Sequence, residues 1–569
     1  MVIETKVAAC LAVLAPLLAA LVPMRGYSFL AAATTVFFSG LFLAWQAIPE
    51  PVIALNLYTW LAGDTLQWTL AIAVEAQRIT LLSLFNSVAL LLAIYALGFR
   101  REVESRDFTI AALVLLSMQV SALAASDLSF LLAWSLLAFA ALWGGAESDG
   151  WNGVRPLDRL GDALLVIGMV LLLVNFSRAG ILCILVAAWT RMGHLPFPLE
   201  IFRSDTGRCK GWVFALMGDL ASPFLAFVLL LRYRAAFVDA GVLDIVLYAG
   251  LGTSFLAGLA ALKASDLRRS LSMTTAGQTG LVLAFMAMGA EAAAFFLLAV
   301  HGIAKALARV AVDGLALAAG GKWSRRELGL LRRQLPLFSA TFSLASLLLA
   351  LGPGMACLWM WNGQESEWVL GVWSVAAFLY ALQKMAVVVR VFSLPPSEQP
   401  HAFPAPQQAS GAALVGLAAL ALVVAVALPH SPLNWMRGLG VGRGGSLTPL
   451  AFAPLGAGAL GLLLAWLLFR GVEKEKSASS IDTWERWLAE GYYLRDLYAV
   501  GVARPLLAWA GWLRDLSAAL VGIALTEGVA LTLRGIGRAF ALVHNGRVRG
   551  YGVALLVGVI ALLWGMANG

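Results

Sequence analysis

Apolar runs of about twenty residues, separated by short polar breaks, repeat along nearly the whole chain, and this feature constrains the fold most. A run of that length crosses the hydrocarbon core of a bilayer as an α-helix, whereas barrel strands alternate over about ten residues. Composition agrees. Of the 569 residues, 61% are hydrophobic and only 13% charged, with a mean hydropathy of +0.85. A water-soluble globule of this size could not hide that balance in one core. The chain is therefore predicted to be an all-α polytopic membrane protein with about sixteen transmembrane helices.

The runs place these helices at 4–24, 27–48, 76–98, 108–125, 127–146, 157–176, 180–199, 211–231, 240–262, 271–290, 291–318, 337–362, 367–393, 409–428, 449–470 and 551–567. Lys6 ahead of the first run resembles the start of a signal peptide, but no small-residue cleavage site precedes the second run. The first run is read as a retained helix.

Lysine and arginine test the count, because they collect in cytoplasmic loops. The loops around the ends of odd-numbered helices hold Arg25; Arg100, Arg101 and Arg106; Arg155 and Arg159; Arg203, Arg208 and Lys210; Lys263, Arg268 and Arg269; and Lys322, Arg325, Arg326, Arg332 and Arg333. The alternate loops hold little beyond Arg178, Arg232, Arg234, Arg437 and Arg443. Both termini are thus expected outside. The formal net charge of +8 belongs to these loops and does not argue for nucleic acid.

Residues 481–545 are too polar for one span and too long for a loop. As one helix rising about 1.5 Å per residue they would reach ~90 Å. Glu527, Arg534 and Arg538 fall within a wedge of about 40° at 100° per residue, while Trp509, Trp512, Leu516, Leu520, Ile523 and Leu531 offer apolar surface. This suits an amphipathic lateral helix lying along a membrane or partner subunits, on the cytoplasmic side by the loop charges. Pro505 should kink it or start its second section. The competing reading, a span over 506–526, would bury Arg514 and Asp515 at high cost.

Cys10, Cys183, Cys209 and Cys357 stand alone, without a C-x-x-C pair or a histidine at metal-ligand spacing. Neither a G-x-G-x-x-G behind a strand nor a P-loop is present. No metal and no cofactor is expected on this chain, so any redox chemistry belongs to other subunits.

The most informative pattern is one stripe. His301, Lys305, Arg309 and Asp313 recur every four residues and share one face of the eleventh predicted helix. Ionisable groups inside a membrane are costly and commonly line a pathway for ions or protons. The structural alternative is an Arg309–Asp313 ion pair with His301 as a satisfied core histidine.

Motifs recur in a particular order: LYTW (Leu57 to Trp60); DRLGD, with Arg159 and Asp162; DLRR (Asp266 to Arg269), with Gln278; HGIAKAL (His301 to Leu307); Arg390; GYYLRDLY (Gly491 to Tyr498); ARPLL (Ala503 to Leu507); and NGRVRGYG before the last helix. In order and spacing the chain resembles the antiporter-like subunit L family of bacterial complex I, kin to Mrp-type cation/proton antiporter subunits. The resemblance implies N-terminal helices over 1–107, inverted five-helix repeats at 108–231 and 240–393, two further helices over 409–470, a lateral helix at 481–545 and a final helix at 551–567. It implies one broken helix per repeat, here at His194, Pro196 and Pro198 and at Gly352, Pro353 and Gly354, joined by a polar axis at mid-membrane. It also implies proton translocation in a bacterial inner membrane beside other antiporter-like subunits and lipid, with NADH, FMN, iron–sulfur clusters and quinone on partner subunits.

The sequence departs from the family's relay. Ser135 follows Trp134 where a glutamate is expected, Arg191 stands in place of a lysine, and Gly218 occupies a histidine position beside Asp219. Arginine holds its proton and cannot easily pass one on. Arg191 is expected to pair with Asp219. Trp359 to Asn362 run through the place of the second broken-helix lysine, leaving Lys384 as a stand-in or as a lysine snorkelling to the interface. A non-pumping scaffold, and a proton-conducting partner of a cation antiporter or an inorganic-carbon uptake system, are the rival functions. The topology makes a direct prediction: a cysteine placed near Arg534 should label from the cytoplasm, and labelling from the outside alone would reverse the assignment.

Overall fold

A computed structural model describes residues 2–21, 26–47, 52–62, 67–98, 103–144, 155–197, 211–264, 267–318, 335–360, 367–392, 408–428, 449–469, 483–543 and 548–568. Most basic loop residues named above, together with Pro198, Asp266 and Asn362, lie outside them. The chain forms two compact units, Met1–Ala499 and Val500–Gly569.

Every apolar run placed from sequence is helical. In the first unit these are α1 (Val2–Leu21) and α2 (Gly26–Gln46), α3 (Ala76–Gly98), α4 (Ser105–Leu123) and α5 (Asp127–Gly144). Then come α6 (Arg155–Leu173), α7 (Ser177–Met192), α8 (Gly211–Arg232) and α9 (Leu243–Lys263). They continue with α10 (Leu267–Ala287), α11 (Glu291–Ala318), α12 (Pro336–Met360), α13 (Glu367–Phe392), α14 (Gln408–Ala427) and α15 (Ala453–Phe469). Twelve helices among the described residues are long and apolar enough to cross a membrane. α8 and α11 are each wholly buried over an 18-residue stretch, so the bundle closes around them.

One element was not foreseen. β1 (Val52–Ala62) and β2 (Gln67–Glu75) form an antiparallel hairpin, with Val52 opposite Glu75 and Ala62 opposite Gln67. Its sequence cue is a stretch of apolar and polar residues on both sides of Gly63 and Asp64, a turn signal too short to compete with the helical runs. β2 is tied to the bundle by an Ile72–Ala124 bridge and by Ala125 N–H donating to Ala71 O at 3.3 Å. Arg232 of α8 closes this end by donating to Asp127 at 2.6 Å and to the carbonyls of Ala124 and Ala125.

α8 departs from regular helical geometry, whereas α12 keeps it. α8 widens into a π segment over Ala215–Ala221, where the Ser222 N–H reaches back to Met217 O. Pro223, which has no N–H for the Asp219 carbonyl, follows immediately. α12 runs unbroken through Gly352, Pro353 and Gly354, contrary to the expected break. Pro353 removes only the hydrogen bond to the Leu349 carbonyl, and Gln278 of α10 donates to that oxygen at 2.8 Å instead. The break after α7 is present, but α7 ends at Met192 and not near 199, with Gly193 left-handed at φ 69° and His194 buried beyond it.

α9 and α10 approach to backbone contact. A Cβ on Gly250 would lie 2.5 Å from the Gly280 carbonyl, and one on Gly280 equally close to the Gly250 carbonyl. Small residues at helix crossings in membranes permit such contact.

The lateral segment is not one straight helix. In the first unit, α16 (Thr483–Ala489) gives way to a kink where Gly491, Tyr492 and Tyr493 have φ of 60°, 65° and 52°. Glu485 meets Lys263 at 2.7 Å, Glu490 meets Arg269 at 2.6 Å, and the Tyr492 hydroxyl donates to Leu256 O at 2.7 Å. Burial pushes the Tyr492 phenol up to about 12, so it stays a donor at ordinary pH. The second unit holds α17 (Arg504–Ala519), with Pro505 at its start as expected, a π segment over Leu520–Glu527, α18 (Gly528–Val543) and α19 (Val548–Asn568).

Gly280→Leu should force α9 and α10 apart and cost about 1–3 kcal/mol or more by overpacking, read as a lower thermal midpoint in detergent. Gly252→Leu, where a side chain would meet open space, should leave that midpoint unchanged.

Candidate functional site

The buried charges gather on one face of α10. Thr274, Thr275, Gln278 and Thr279 lie at successive turns of a helix whose neighbours are α8, α11, α12, α13 and the break after α7. Each meets an ionisable group or a freed backbone carbonyl. Thr275 lies 3.4 Å from Asp219 of α8. Thr279 lies 3.0 Å from His194 Nε2. Gln278 accepts from His301 Nδ1 while donating to Leu349 O.

The stripe on α11 is buried from His301 to Arg309, but its members do not pair with one another. His301 meets Gln278, Lys305 meets Thr274 and the Leu271 carbonyl, and Arg309 meets Asp219. Arg309 binds both oxygens of that carboxylate, Nη2 at 3.0 Å from Oδ1 with Nε on Oδ2, and stacks over Phe214 at 4.9 Å. The Arg309–Asp313 pair of the structural alternative is not formed, since Arg309 is taken by Asp219. Asp313 instead lies against Gly211, the first residue of α8, where a helix N-terminus favours negative charge.

The expected Arg191–Asp219 pair is not formed either. Arg191 reaches Asp162 at 2.7 Å and lies over the Trp134 ring at 4.8 Å. Asp162 also takes Arg159 at 2.9 Å and the Trp134 Nε1–H at 2.7 Å. Asp162 and Arg159 both come from DRLGD, and the i, i+3 spacing leaves one carboxylate oxygen available to α7. Asp219 was claimed by a bidentate arginine, the stronger geometry for a carboxylate. Ser135 is exposed and outside this cluster.

Lys384 does not snorkel. It is 4% exposed and donates to Thr274 Oγ1 at 2.9 Å, while Lys305, wholly buried, donates to the same oxygen at 2.6 Å. Tyr380 anchors the same turn by donating to Thr274 O at 2.8 Å. Among the described residues neither lysine touches a carboxylate. Two unit charges about 5 Å apart repel by about 3 kcal/mol at an effective dielectric of about 20, so the pair is costly when both amines carry charge. Thr274, Thr275 and Thr279 carry no sequence signal beyond a hydroxyl every helical turn, and only Gln278 stood in a recognised motif.

The fold is similar to that of antiporter-like membrane subunits. Residues 110–388 match the transmembrane family described as NADH:quinone oxidoreductase/Mrp antiporter. Subunit L of NADH-quinone oxidoreductase from Pseudomonas aeruginosa is 25% identical over 90% of this chain and 89% of its own length. Among solved structures, a chain of the Mrp complex of a Dietzia species superposes with a TM-score of 0.64 at 18% identity, covering all of this chain and 69% of that one. A chain of respiratory complex I from Thermus thermophilus superposes with a TM-score of 0.62 at 15% identity, over 80% of this chain and 99% of that one. These likenesses agree with the antiporter-like subunit L resemblance that the motifs carry.

Asp219→Asn should leave Arg309 charged and buried without its partner, at a cost of about 3–5 kcal/mol. The double substitution Asp219→Leu/Arg309→Met should recover most of that stability. Both are read by thermal unfolding in detergent, and a double variant no better than the single one would show that the pair is not what the asparagine disrupts.

Proposed function

We propose that this chain is the subunit L-type membrane-arm component of a complex I-like assembly and carries protons across the membrane, while NADH oxidation and quinone reduction take place on partner subunits. The chain itself performs no redox step. The observation that carries this reading is the pair Lys305 and Lys384, from two helices, buried without a carboxylate against the hydroxyl-lined face of α10. Such groups are costly inside a membrane and belong on pathways, and lysine, unlike arginine, gives up its proton under accessible conditions. The relatives' names supply the assembly. Other antiporter-like subunits are the natural partners, along the lateral segment that begins at α16.

A second reading, a scaffold that conducts few protons, is favoured by the cluster at the other end. Arg191 is fixed between Asp162 and Trp134, arginine does not readily pass on a proton, and neither Ser135 nor Gly218 offers a titratable group.

Lys305 separates the two. In the assembled complex in sealed vesicles, Lys305→Ala should lower proton uptake per electron several-fold while electron transfer to an artificial acceptor persists. Lys305→Arg should be nearly as harmful. Unchanged stoichiometry in a stably assembled Lys305→Ala complex would favour the scaffold.

A further inference from the structure

The Thr274 hydroxyl is fully engaged. Its oxygen accepts from Lys305 Nζ at 2.6 Å and Lys384 Nζ at 2.9 Å, and its hydrogen is directed to Leu271 O at 2.8 Å. A hydroxyl has one hydrogen to give and two lone pairs to receive with, so no site on it is spare. Thr274 is buried, and its backbone is held by Tyr380, so the hydroxyl cannot leave the space between the two amines. The lysines come from different helices, α11 and α13, and meet only through this oxygen. Arg309 has taken the Asp219 carboxylate, which leaves the amines with neutral partners.

We propose that Thr274 is a proton-passing bridge that joins Lys384 and Lys305 into one relay step. This rests on the reading of the chain as a proton carrier and adds a residue and a route to it. With one amine charged and the other neutral, rotation about the Cβ–Oγ bond turns the hydroxyl hydrogen from Leu271 O toward the neutral amine. An N–H bond then breaks at the charged lysine as an O–H bond forms on Oγ1. The original O–H bond breaks as an N–H bond forms at the other lysine. The hydroxyl ends as it began, one proton has moved between α13 and α11, and the total charge is unchanged. The Leu271 carbonyl, which also accepts from Lys305, holds that amine in place on arrival.

The route gives Lys384 the place left vacant on α12, where Trp359 and Met360 stand. A chain with its second amine on a neighbouring helix needs a fixed hydroxyl to close the gap, and α10 provides it.

Three variants of the intact complex in sealed vesicles test the bridge. Thr274→Val keeps the shape and removes the hydroxyl; proton uptake per electron should fall several-fold, as in Lys305→Ala, with electron transfer to an artificial acceptor retained. Thr274→Ser restores a hydroxyl and should pump within about twofold of the unsubstituted complex. Lys384→Met should match Thr274→Val, and combining the two should cost little more, because both interrupt one step. Wild-type stoichiometry in Thr274→Val, with Lys305→Ala impaired, would overturn the bridge and leave the carrier role standing. Wild-type stoichiometry in Lys305→Ala itself would overturn the carrier reading beneath it. Equal loss in Thr274→Val and Thr274→Ser would assign Thr274 a packing role only and also overturn the bridge. Native-gel recovery of each variant shows that the complex being measured has assembled.

Discussion

A polar group inside an apolar bundle must find its partner within the protein, and in this chain one helix supplies most of the partners. α10 offers a hydroxyl or an amide at each turn from Thr274 to Thr279, and the buried charges of α8, α11 and α13 are arranged around it. The small-residue contact with α9 lets α10 sit deep enough to do this. Remove that face, and Lys305, Lys384 and His301 would each be left with unmet hydrogen bonds at a cost no local packing could offset.

The same rule explains how the helical irregularities are tolerated. The carbonyl freed by Pro353 is taken by Gln278, and the chain after α7 is stitched to α9 and α10 by Thr253 and Thr279. The π segment of α8 brings Asp219 to Arg309 and Thr275. Charge is likewise divided by kind. In the membrane core the arginines sit where a carboxylate holds them, Arg191 on Asp162 and Arg309 on Asp219, whereas Lys305 and Lys384 sit on neutral oxygens. Fixed charge and exchangeable charge are thus separated by what each is bonded to.

The helical segments were legible because a twenty-residue apolar run has few other uses, and the stripe from His301 to Arg309 because period four places those residues on one face. The pairings were not legible. Arg191 and Asp219 looked like partners from their placement on adjacent helices at two relay positions of the family, but a carboxylate three residues from Arg159 offered Arg191 a nearer match, and periodicity says nothing about which helices face each other. The hairpin escaped because Val52–Ala62 and Gln67–Glu75 lie between the spans placed at 27–48 and 76–98, with only the short turn signal at Gly63 and Asp64 to mark them. The threonines of α10 escaped because a hydroxyl in an apolar helix can bond its own backbone and usually needs no other explanation. Pro353 signalled a break, and the helix kept its course because a side chain from α10 filled the gap.

Gln278 has a consequence for the chemistry of a residue it only touches. An amide side chain has a donor end and an acceptor end, and here the donor end is committed to the carbonyl that Pro353 released. The acceptor end must then face His301, so the hydrogen of that imidazole sits on Nδ1, and Nε2 carries the lone pair. The tautomer of a histidine on α11 is therefore chosen by a proline on α12, two residues that never meet.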